Sequence, residues 1–535
     1  MTIFGKHRKG GDDMGLFGKP SSKLWLALFS AVLLTVCSAN ALMAETPKAG
    51  GEIKVRVRTD LTSTDPLAST ALINASILGH VVEPLLAYNE DLKIVPVAAE
   101  SWKISEDYKT YTFFLIKGKK FHNGREMTAE DVKFSVARMM DPNACKRAKL
   151  FAGVDRVEVV DKYTVIIHLK EPNAGFTHAL AYIAPVMAIM PKEEIEKQGR
   201  EIKHPVGTGP YKFVEWKPDR HVILEKFKDY KGQAGLRDGM GGERIAYLDK
   251  IIFVPVAEES VSVMSLINKE VDLMQGYPPK YMDKYESEYS KKGVVAQEVP
   301  GLIWVGAHFG VTQPVVNNEK FRKACAYALD IESMAKAAFM GYSRTNPSAI
   351  AMVNQYRSSY FDKWYKQDLS KAKKLLKESG YNGEEVVFDT TKKYNYFYKM
   401  AVAAHAQLQA VGINVKLNVI DWPVLLQKHL KGESQIHIMG AAPMPDPALA
   451  YAYLKRNKFM DIYPEAEELR QKAMSTADFN TRQKIFEQLH QITYDHVPWV
   501  ISCNYNYINA HWNYVKGYQV LGTGIPRLWG VWLDK

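Results

Sequence analysis

The chain has 535 residues, of which 47% are hydrophobic and 24% are charged, as is ordinary for a soluble globular protein with more than one core. Its formal net charge of +11 at pH 7 is compatible with nucleic-acid binding, but the lysines are interspersed with acids and form no basic stripe. The sequence also has no fixed-period repeat and no low-complexity tract, so neither a solenoid nor a disordered protein is expected.

Residues 1–44 are typical of an export signal. A basic stretch that ends at Lys23 precedes an apolar run, Leu24–Val36, which is too short to span a bilayer comfortably. Ala39-Asn40-Ala41 then offers small residues for signal cleavage. A lipid anchor at Cys37 is not expected, because Val36 stands where a small residue should precede such a cysteine. The pattern therefore predicts an exported protein.

The first strand of the predicted mature chain is Glu52–Thr59, in which Ile53, Val55 and Val57 alternate with charged residues. A polar loop, Asp60–Pro66, follows it. Ligands gather at the carboxyl ends of strands in open α/β sheets, so this loop is a candidate wall of a binding pocket. Turn chemistry explains its polarity equally well.

The stretch Ala98–Met140 predicts two strands followed by a helix. Alternating apolar residues over Thr110–Ile116 indicate the second strand. Asn123-Gly124 is suited to a tight turn. Thr128 and Asp131 then stand where a capping box would begin a helix. From periodicity alone, this unit fits many α/β proteins.

The exact residues of this stretch are more specific than its alternation of apolar and polar positions. Ala-Glu-Ser-Trp (99–102), Lys-Phe-His-Asn-Gly (120–124) and Thr-Ala-Glu-Asp-Val-Lys-Phe-Ser (128–135) resemble the signature of the family 5 solute-binding proteins. These are periplasmic binding proteins of peptide, nickel and opine ABC importers. The resemblance extends from about Gly50 to the C-terminus. Two further stretches, Val81–Asn89 and Pro205–Tyr211, resemble motifs of the same family.

The resemblance implies an α/β fold, namely a two-lobed periplasmic binding protein of type II, large subgroup, with an additional inserted domain. We expect lobe I to be formed by residues 45–96, 207–301 and 504–535. The inserted domain is expected at 97–206 and lobe II at 302–503. The implied function is to capture a peptide or peptide-like solute between the lobes and deliver it to an ABC permease of the inner membrane. The protein would be periplasmic and monomeric.

Lobe II is predicted to alternate strands and helices, with Gly380 and Gly412 ending two of the helices as left-handed residues. Asn480, with Gln483, is expected to cap the last helix. The predicted strands are Val386–Phe388, Val415–Ile420 and Ile436–Met439, and the predicted helices are Ser370–Ser379, Tyr398–Val411 and Asn480–Tyr494.

The resemblance also implies where a ligand binds, and here the sequence departs from the family. In dipeptide-binding members, an aspartate after the Ile436–Met439 strand holds the ligand's amino group. An arginine before the predicted helix Tyr398–Val411 holds the ligand's carboxylate. This chain has Ala442-Pro443-Met444 at the first position, with Asp446 as the nearest acid, and Thr391–Asn395 at the second. The departure makes an oligopeptide, opine or sugar conjugate as plausible as a dipeptide.

The predicted ligand-binding residues surround one cleft between the lobes, and each has a structural alternative. Trp304, in the crossing Gly301–His308, is either a core residue or a wall of the cleft. The loop Asp421-Trp422-Pro423 either projects its ring outward or packs it under the next helix. Asp446 would otherwise cap a turn, and the lysines would otherwise be solvated. The full predicted set is Trp304, Trp422, Asp446, Lys392, Lys393 and Tyr394.

Catalysis finds little support in the sequence. It contains no Gly-x-Ser-x-Gly, no His-Glu-x-x-His and no Walker-type loop, and its 14 histidines are scattered. No Cys-x-x-Cys is present, so neither a zinc site nor a redox motif is indicated. We therefore expect no catalytic residue, no cofactor and no metal, and an exported hydrolase is the least expected function. Cys145, Cys325 and Cys503 could form one disulfide.

Overall fold

The computed structural model describes residues 46–181, 187–199, 202–441 and 443–535. The predicted export signal, Cys37 and Ala442 lie outside the described residues. Within these ranges, no helix has both the length and the apolar character needed to cross a membrane.

The strands are numbered here in chain order. They are β1 Glu52–Val57, β2 Leu86–Tyr88, β3 Ile94–Pro96, β4 Ala99–Ile104, β5 Thr110–Leu115, β6 Val154–Asp161, β7 Thr164–Leu169, β8 Tyr211–Lys217, β9 His221–Lys226, β10 Lys250–Pro255, β11 Leu273–Met274, β12 Val294–Phe309, β13 Ser343–Thr345, β14 Val386–Thr390, β15 Val415–Val419, β16 Ile436–Gly440, β17 Trp499–Trp512, β18 Val515–Lys516 and β19 Trp532–Leu533.

The α-helices are described below by their ranges. They are Leu72–Leu78, Ala129–Met140, Phe176–Leu180, Lys192–Gln198, Glu259–Ile267, Met282–Lys284, Glu319–Ala328, Ile331–Phe339, Leu369–Glu378, Asn395–Ala410, Trp422–Lys431, Pro447–Tyr451, Phe459–Ile462, Pro464–Met474 and Phe479–His496.

One large sheet runs through the molecule in the order β15-β14-β16-β12-β17-β11-β1-β10-β9-β8. Parallel pairs lie on both sides of its centre: β1 with β10 and β11, and β14 with β15 and β16. The long antiparallel pair β12–β17 joins the two sides. Its register shifts between Pro300 and Trp304 and again at Val305/Gly306, so the pair is irregular where it passes from one side to the other.

Two glycines make the irregular crossing possible. A Cβ on Gly301 would lie 2.4 Å from the carbonyl oxygen of Tyr505, and one on Gly306 would lie 2.2 Å from that of Val500. These distances are far below van der Waals contact, so β12 can approach β17 here only without side chains.

Two large hydrophobic cores lie on the two sides of the crossing. The first gathers apolar residues of 53–302 and 515–531, together with Ala351, and the second gathers those of 303–503. The four-stranded antiparallel sheet β4-β5-β7-β6 shares the first core, because Tyr111 and Phe113 pack in the same cluster as Ile53. The division into lobe I, inserted domain and lobe II stays a prediction, and these cores support it.

Local sequence signals predicted several elements correctly. The capping box is confirmed: Thr128 N donates to the Asp131 carboxylate at 2.9 Å, and the helix Ala129–Met140 follows. The predicted cap at Asn480 is wrong, because Asp478 accepts from Thr481 N at 2.8 Å and the helix starts at Phe479. An aspartate two positions earlier competes better for the free backbone N–H groups.

Two further expectations are corrected. Asp421-Trp422-Pro423 is not a projecting loop, since Trp422 is the first residue of the helix Trp422–Lys431 and Pro423 lies in its first turn. The disulfide is not formed: the three cysteines that the structure describes are unpaired and buried.

A buried ionic network fastens the first core. Glu83, which is fully buried, accepts from Lys119 Nζ at 2.6 Å and from Arg244 Nη1 at 3.1 Å. It also accepts from the hydroxyls of Thr208 at 2.8 Å and Tyr230 at 2.7 Å. Burial alone would raise the pKa of the Glu83 carboxyl, but the charges of Lys119 and Arg244 outweigh it and lower the pKa below its ordinary value.

Loss of the Glu83 charge should destabilise the whole first core. In Glu83→Gln, Lys119 and Arg244 would remain buried without a counterion, which costs about 3–5 kcal/mol of unfolding free energy. Urea unfolding followed by tryptophan fluorescence measures the loss. Glu288→Gln removes an exposed ion pair with Lys292 and should leave stability almost unchanged, because solvent screens the pair. Equal effects of the two variants would contradict the prediction.

Candidate functional site

Five aromatic side chains form a continuous cluster beside the crossing of the large sheet. The ring centroids of Tyr394 and Trp422 are 4.9 Å apart and perpendicular, and those of Tyr394 and Tyr396 are 5.9 Å apart. Tyr396 lies 5.6 Å from Tyr505, which lies 5.3 Å from Tyr507. These separations are typical of packed aromatic pairs. We call this set the aromatic cluster.

Strand geometry explains why distant residues meet in the aromatic cluster. β14 and β15 are parallel, and Tyr394 and Trp422 follow their carboxyl ends. Carboxyl ends of parallel strands share one edge of a sheet, which is where ligands bind in open α/β folds. Tyr505 and Tyr507 are two residues apart on β17, so both face the same side of the sheet.

Tyr507 connects the two cores. Its ring packs against both of them, and a Cβ on Gly524 would lie 2.4 Å from that ring. Gly524 has φ +75°, a backbone conformation that glycine adopts without strain, so the C-terminal segment can close over Tyr507. The Tyr507 hydroxyl is buried and has no hydrogen-bond partner among the described residues.

Arg58 lies on the segment that leaves β1, a strand of the first core. It follows β1 directly, its side chain is exposed, and no hydrogen bond or ion pair joins it to a described residue. Burial raises the pKa of Tyr396 and Tyr505 well above the ordinary value, and the Arg58 charge partly opposes this rise. Arg58 is therefore a cation whose charge acts on the aromatic cluster.

Sequence reasoning missed Arg58, Tyr396, Tyr505 and Tyr507. The predicted pocket wall was the loop Asp60–Pro66, whereas Arg58 lay within the predicted strand Glu52–Thr59, so the prediction came close to Arg58 without including it. The tyrosines of β17 carried no such signal, because their position depends on a strand pairing between residues far apart in sequence.

Trp304 does not line an exposed wall. It is 1% exposed and packs in the second core against His308, Tyr453 and Trp499, with ring centroids at 5.3–5.6 Å. Its indole N–H has no partner among the described residues. A ligand contact of Trp304 stays a prediction that its burial does not support.

Asp446 is already engaged by protein groups. It is 2% exposed, accepts from Arg482 Nη2 at 2.7 Å, and caps the helix Pro447–Tyr451 by accepting from Ala448 N at 2.9 Å. Of the two alternatives for Asp446, ligand binding and capping of a turn, its contacts agree with capping. Burial would raise the pKa of the Asp446 carboxyl, but the charge of Arg482 outweighs burial and lowers the pKa.

Lys392 and Lys393 are both exposed. Lys392 Nζ lies 5.2 Å from the centroid of the Tyr398 ring, on the helix that starts at Asn395. The structure therefore brings Tyr394 and Trp422 into contact, as predicted. Lys392 and Lys393 are exposed to solvent, as the structural alternative predicted for them.

A second contact joins the two cores near Asp446. His178 Nε2 lies 3.5 Å from Asp446 Oδ2, and His178 Nδ1 lies 2.7 Å from the Tyr88 hydroxyl. Gly175 N donates to Met474 O at 3.0 Å. Burial lowers the His178 pKa, so the imidazole is held neutral as a hydrogen-bonding bridge.

The comparison with known families gives one assignment. Residues 93–459 match the model of the bacterial extracellular solute-binding proteins, family 5 middle. The glutathione-binding protein GsiB of Pectobacterium atrosepticum is 29% identical over 508 residues, 91% of this chain and 95% of that protein. GsiB of Escherichia coli K12 is 26% identical over 513 residues, 92% and 97% of the two chains.

Solved structures show the same fold. DppA, an ABC transporter-associated periplasmic binding protein of Helicobacter pylori, in complex with the peptide STSA, is 28% identical with a TM-score of 0.77 and covers 91% of this chain and 99% of its own. The ABC transporter substrate-binding protein CtaP of Listeria monocytogenes is 26% identical with a TM-score of 0.79, covering 91% and 100%.

The Asp446–Arg482 pair gives a prediction with a defined pH dependence. Asp446→Asn leaves the Arg482 charge buried and unpaired, and should lower the unfolding free energy at pH 7 by about 3 kcal/mol. The pKa of Asp446 is lower in the folded chain than its value of about 3.9 in the unfolded chain. The ion pair therefore contributes its full stabilisation above the unfolded pKa, and this contribution is lost as the pH falls through the folded pKa. Thermal unfolding from pH 7 to pH 2.5 measures this.

The control for this experiment is Asp155→Asn, which removes an exposed pair with Arg156. Its stability should stay within about 0.5 kcal/mol of the parent chain throughout. An Asp446→Asn deficit that persists undiminished at pH 2.5 would show that the ion pair is not its cause.

Proposed function

The chain belongs to the bacterial extracellular solute-binding proteins of family 5, and on that basis we propose that it is the exported binding component of an ABC importer. Its ligand is a peptide or peptide-like solute, held between the two cores as between two lobes and delivered to a membrane permease. The family match carries the proposal, and the predicted export signal supports a periplasmic location. No catalytic role is proposed.

The relatives favour a peptide over the opine and sugar-conjugate alternatives. The GsiB proteins, which this chain matches over nearly its whole length, are named for glutathione binding, and DppA was solved with a tetrapeptide. Both ligands are short peptides with a free carboxylate. Arg58, with no protein partner among the described residues, is suited to such a group.

We assign the ligand to the space between Arg58 and the aromatic cluster. The guanidinium would bind a ligand carboxylate, while Tyr394 and Trp422 would pack against apolar or planar parts of the peptide. Asp446 is not assigned to the ligand's amino group, because Arg482 already neutralises it. This difference separates the proposed site from the dipeptide pattern and leaves longer or modified peptides as ligands.

The ligand itself tests the function. The full chain, released from its host by osmotic shock and purified without denaturant, should carry a peptide that native mass spectrometry detects and sequences. Titration of ligand-free protein with glutathione, a tetrapeptide and an opine should give the tightest binding to a peptide. Absence of the chain from the shock fraction would refute export, and tight binding of the opine alone would refute the ligand class.

Substitutions test the site. Arg58→Ala should weaken peptide binding by about 1.5–3 kcal/mol, roughly 10- to 100-fold in Kd, because a charge-assisted hydrogen bond is lost. Trp422→Ala should cost about 1–3 kcal/mol through lost packing. Isothermal titration calorimetry measures both.

Matched controls come from the four-stranded sheet. Arg156→Ala and Trp102→Ala change the same residue types on β6 and β4, away from the aromatic cluster, and should leave Kd unchanged. Unaltered affinity in both site variants, with unfolding midpoints intact, would move the ligand away from this space.

A further inference from the structure

Three histidines meet in the second core, two of them eight positions apart in the sequence and the third more distant. His308 on β12 and His437 on β16 are direct partners across an antiparallel pair, so their side chains share one face of the sheet. His429, near the end of the helix Trp422–Lys431, packs onto the same face. The ring centroids are 5.0–5.6 Å apart in all three pairs. We call this set the histidine cluster.

The ring nitrogens converge. One nitrogen from each histidine lies within 4.8 Å of the other two, and His429 Nδ1 is 2.9 Å from His437 Nε2. With Zn–N bonds of about 2.0–2.1 Å, a tetrahedral ion holds its ligand nitrogens about 3.4 Å apart. The rings would have to draw together around an ion to bind it.

The cluster is deeply buried and poorly satisfied by protein groups. His308 and His429 are fully buried and His437 is 2% exposed. Both nitrogens of His308, His429 Nε2 and His437 Nδ1 have no hydrogen-bond partner among the described residues. Burial of a polar group without a partner costs free energy, and such orphan groups are rare in native cores. His429 Nδ1 and His437 Nε2 are hydrogen-bonded to each other, so the nitrogens without a protein partner are the two of His308 and the outer nitrogen of each of the other rings.

The surroundings favour coordination by neutral imidazoles. The Trp304 ring stacks on His308 with centroids 5.4 Å apart, and Trp499 packs edge-on at 5.6 Å, which excludes bulk water. Burial and the charge of Arg456 disfavour the imidazolium forms of His308 and His429. Asp389, the Cα partner of His437 on β14, is a buried carboxylate that already accepts from Lys428 Nζ and Asn418 Nδ2, so it supplies negative charge near the cluster without bonding to His437.

We propose that His308, His429 and His437 bind one transition-metal ion of the borderline class that imidazole prefers, with Zn²⁺ as the reference ion. Three histidine ligands leave a fourth position of a tetrahedral ion for water. The ion would tie β12 and β16 to the helix Trp422–Lys431. Its role is structural, since the site lies inside one core and apart from Arg58, and it does not depend on the identity of the transported solute.

Zinc uptake and stability test the proposal. The full chain, purified without a polyhistidine tag, is unfolded in urea with a chelator and refolded with or without ZnCl₂. After desalting, we expect one zinc per chain by elemental mass spectrometry. Free Zn²⁺ at 100 times its Kd should lower the ratio of unfolded to folded protein about 100-fold. Co²⁺ in place of Zn²⁺ should give the intense visible absorption of a four-coordinate site.

Variants assign the metal to the cluster. His429→Gln and His437→Gln should each lose the bound zinc and the zinc-dependent stabilisation. His490→Gln is the matched control: this histidine is buried in the same core with one contact to a backbone carbonyl, and its loss should leave zinc binding unchanged. Zinc retained by both cluster variants, or lost equally in the control, would overturn the assignment.

If a variant fails to fold, measurements on the unsubstituted chain decide whether the histidine cluster binds zinc. Folded protein that takes up no zinc, gains no stability from it and gives no Co²⁺ absorption would overturn the proposal, and the histidines would then be core residues only. Zinc uptake with the absorption of a six-coordinate, water-rich Co²⁺ ion would equally overturn it, because it would indicate a surface site.

Discussion

The fold of the first core depends on the requirement that a buried carboxylate be neutralised. Glu83 has no access to water, so its charge is tolerable only while Lys119 and Arg244 remain against it. Its partners come from three other segments of the chain, including the turn that contains Thr208. Two of the stretches that carry the family resemblance, Val81–Asn89 with Glu83 and Pro205–Tyr211 with Thr208, therefore meet at this carboxylate.

Close backbone packing reinforces the same junction. A Cβ on Gly207 would lie 2.2 Å from the carbonyl oxygen of Val81, and one on Gly209 would lie 2.3 Å from that of His80. The turn around Thr208 can thus reach Glu83 only with glycine on both sides. On the other side of the crossing, the buried carboxylate of Asp446 is likewise neutralised by Arg482. His178 is a neutral bridge between the two cores there.

Local patterns in the sequence were informative because their causes are local. Strand alternation and the Thr128–Asp131 capping box depend on neighbouring residues, and they agree with the structure. Sites that depend on distant pairing were not accessible. A tryptophan on a strand, such as Trp304, has the same sequence pattern whether it faces a cleft or a core, and Asp446 fits a cap as well as a ligand. The histidine cluster could not be predicted, because His308 joins His429 and His437 only through the pairing of β12 with β16.

The C-terminal segment has a consequence for how the chain folds. β11 pairs with β17, and Leu528 and Val531 complete the first core that begins at Ile53. Arg244 also stacks on the ring of Trp529, 4.6 Å from its centroid. A chain that emerges N-terminus first therefore cannot finish the first core until residues near its C-terminus arrive, whereas the buried members of the second core end at Cys503. The first core is thus the last part of the molecule to be completed, and part of its apolar surface stays exposed until then.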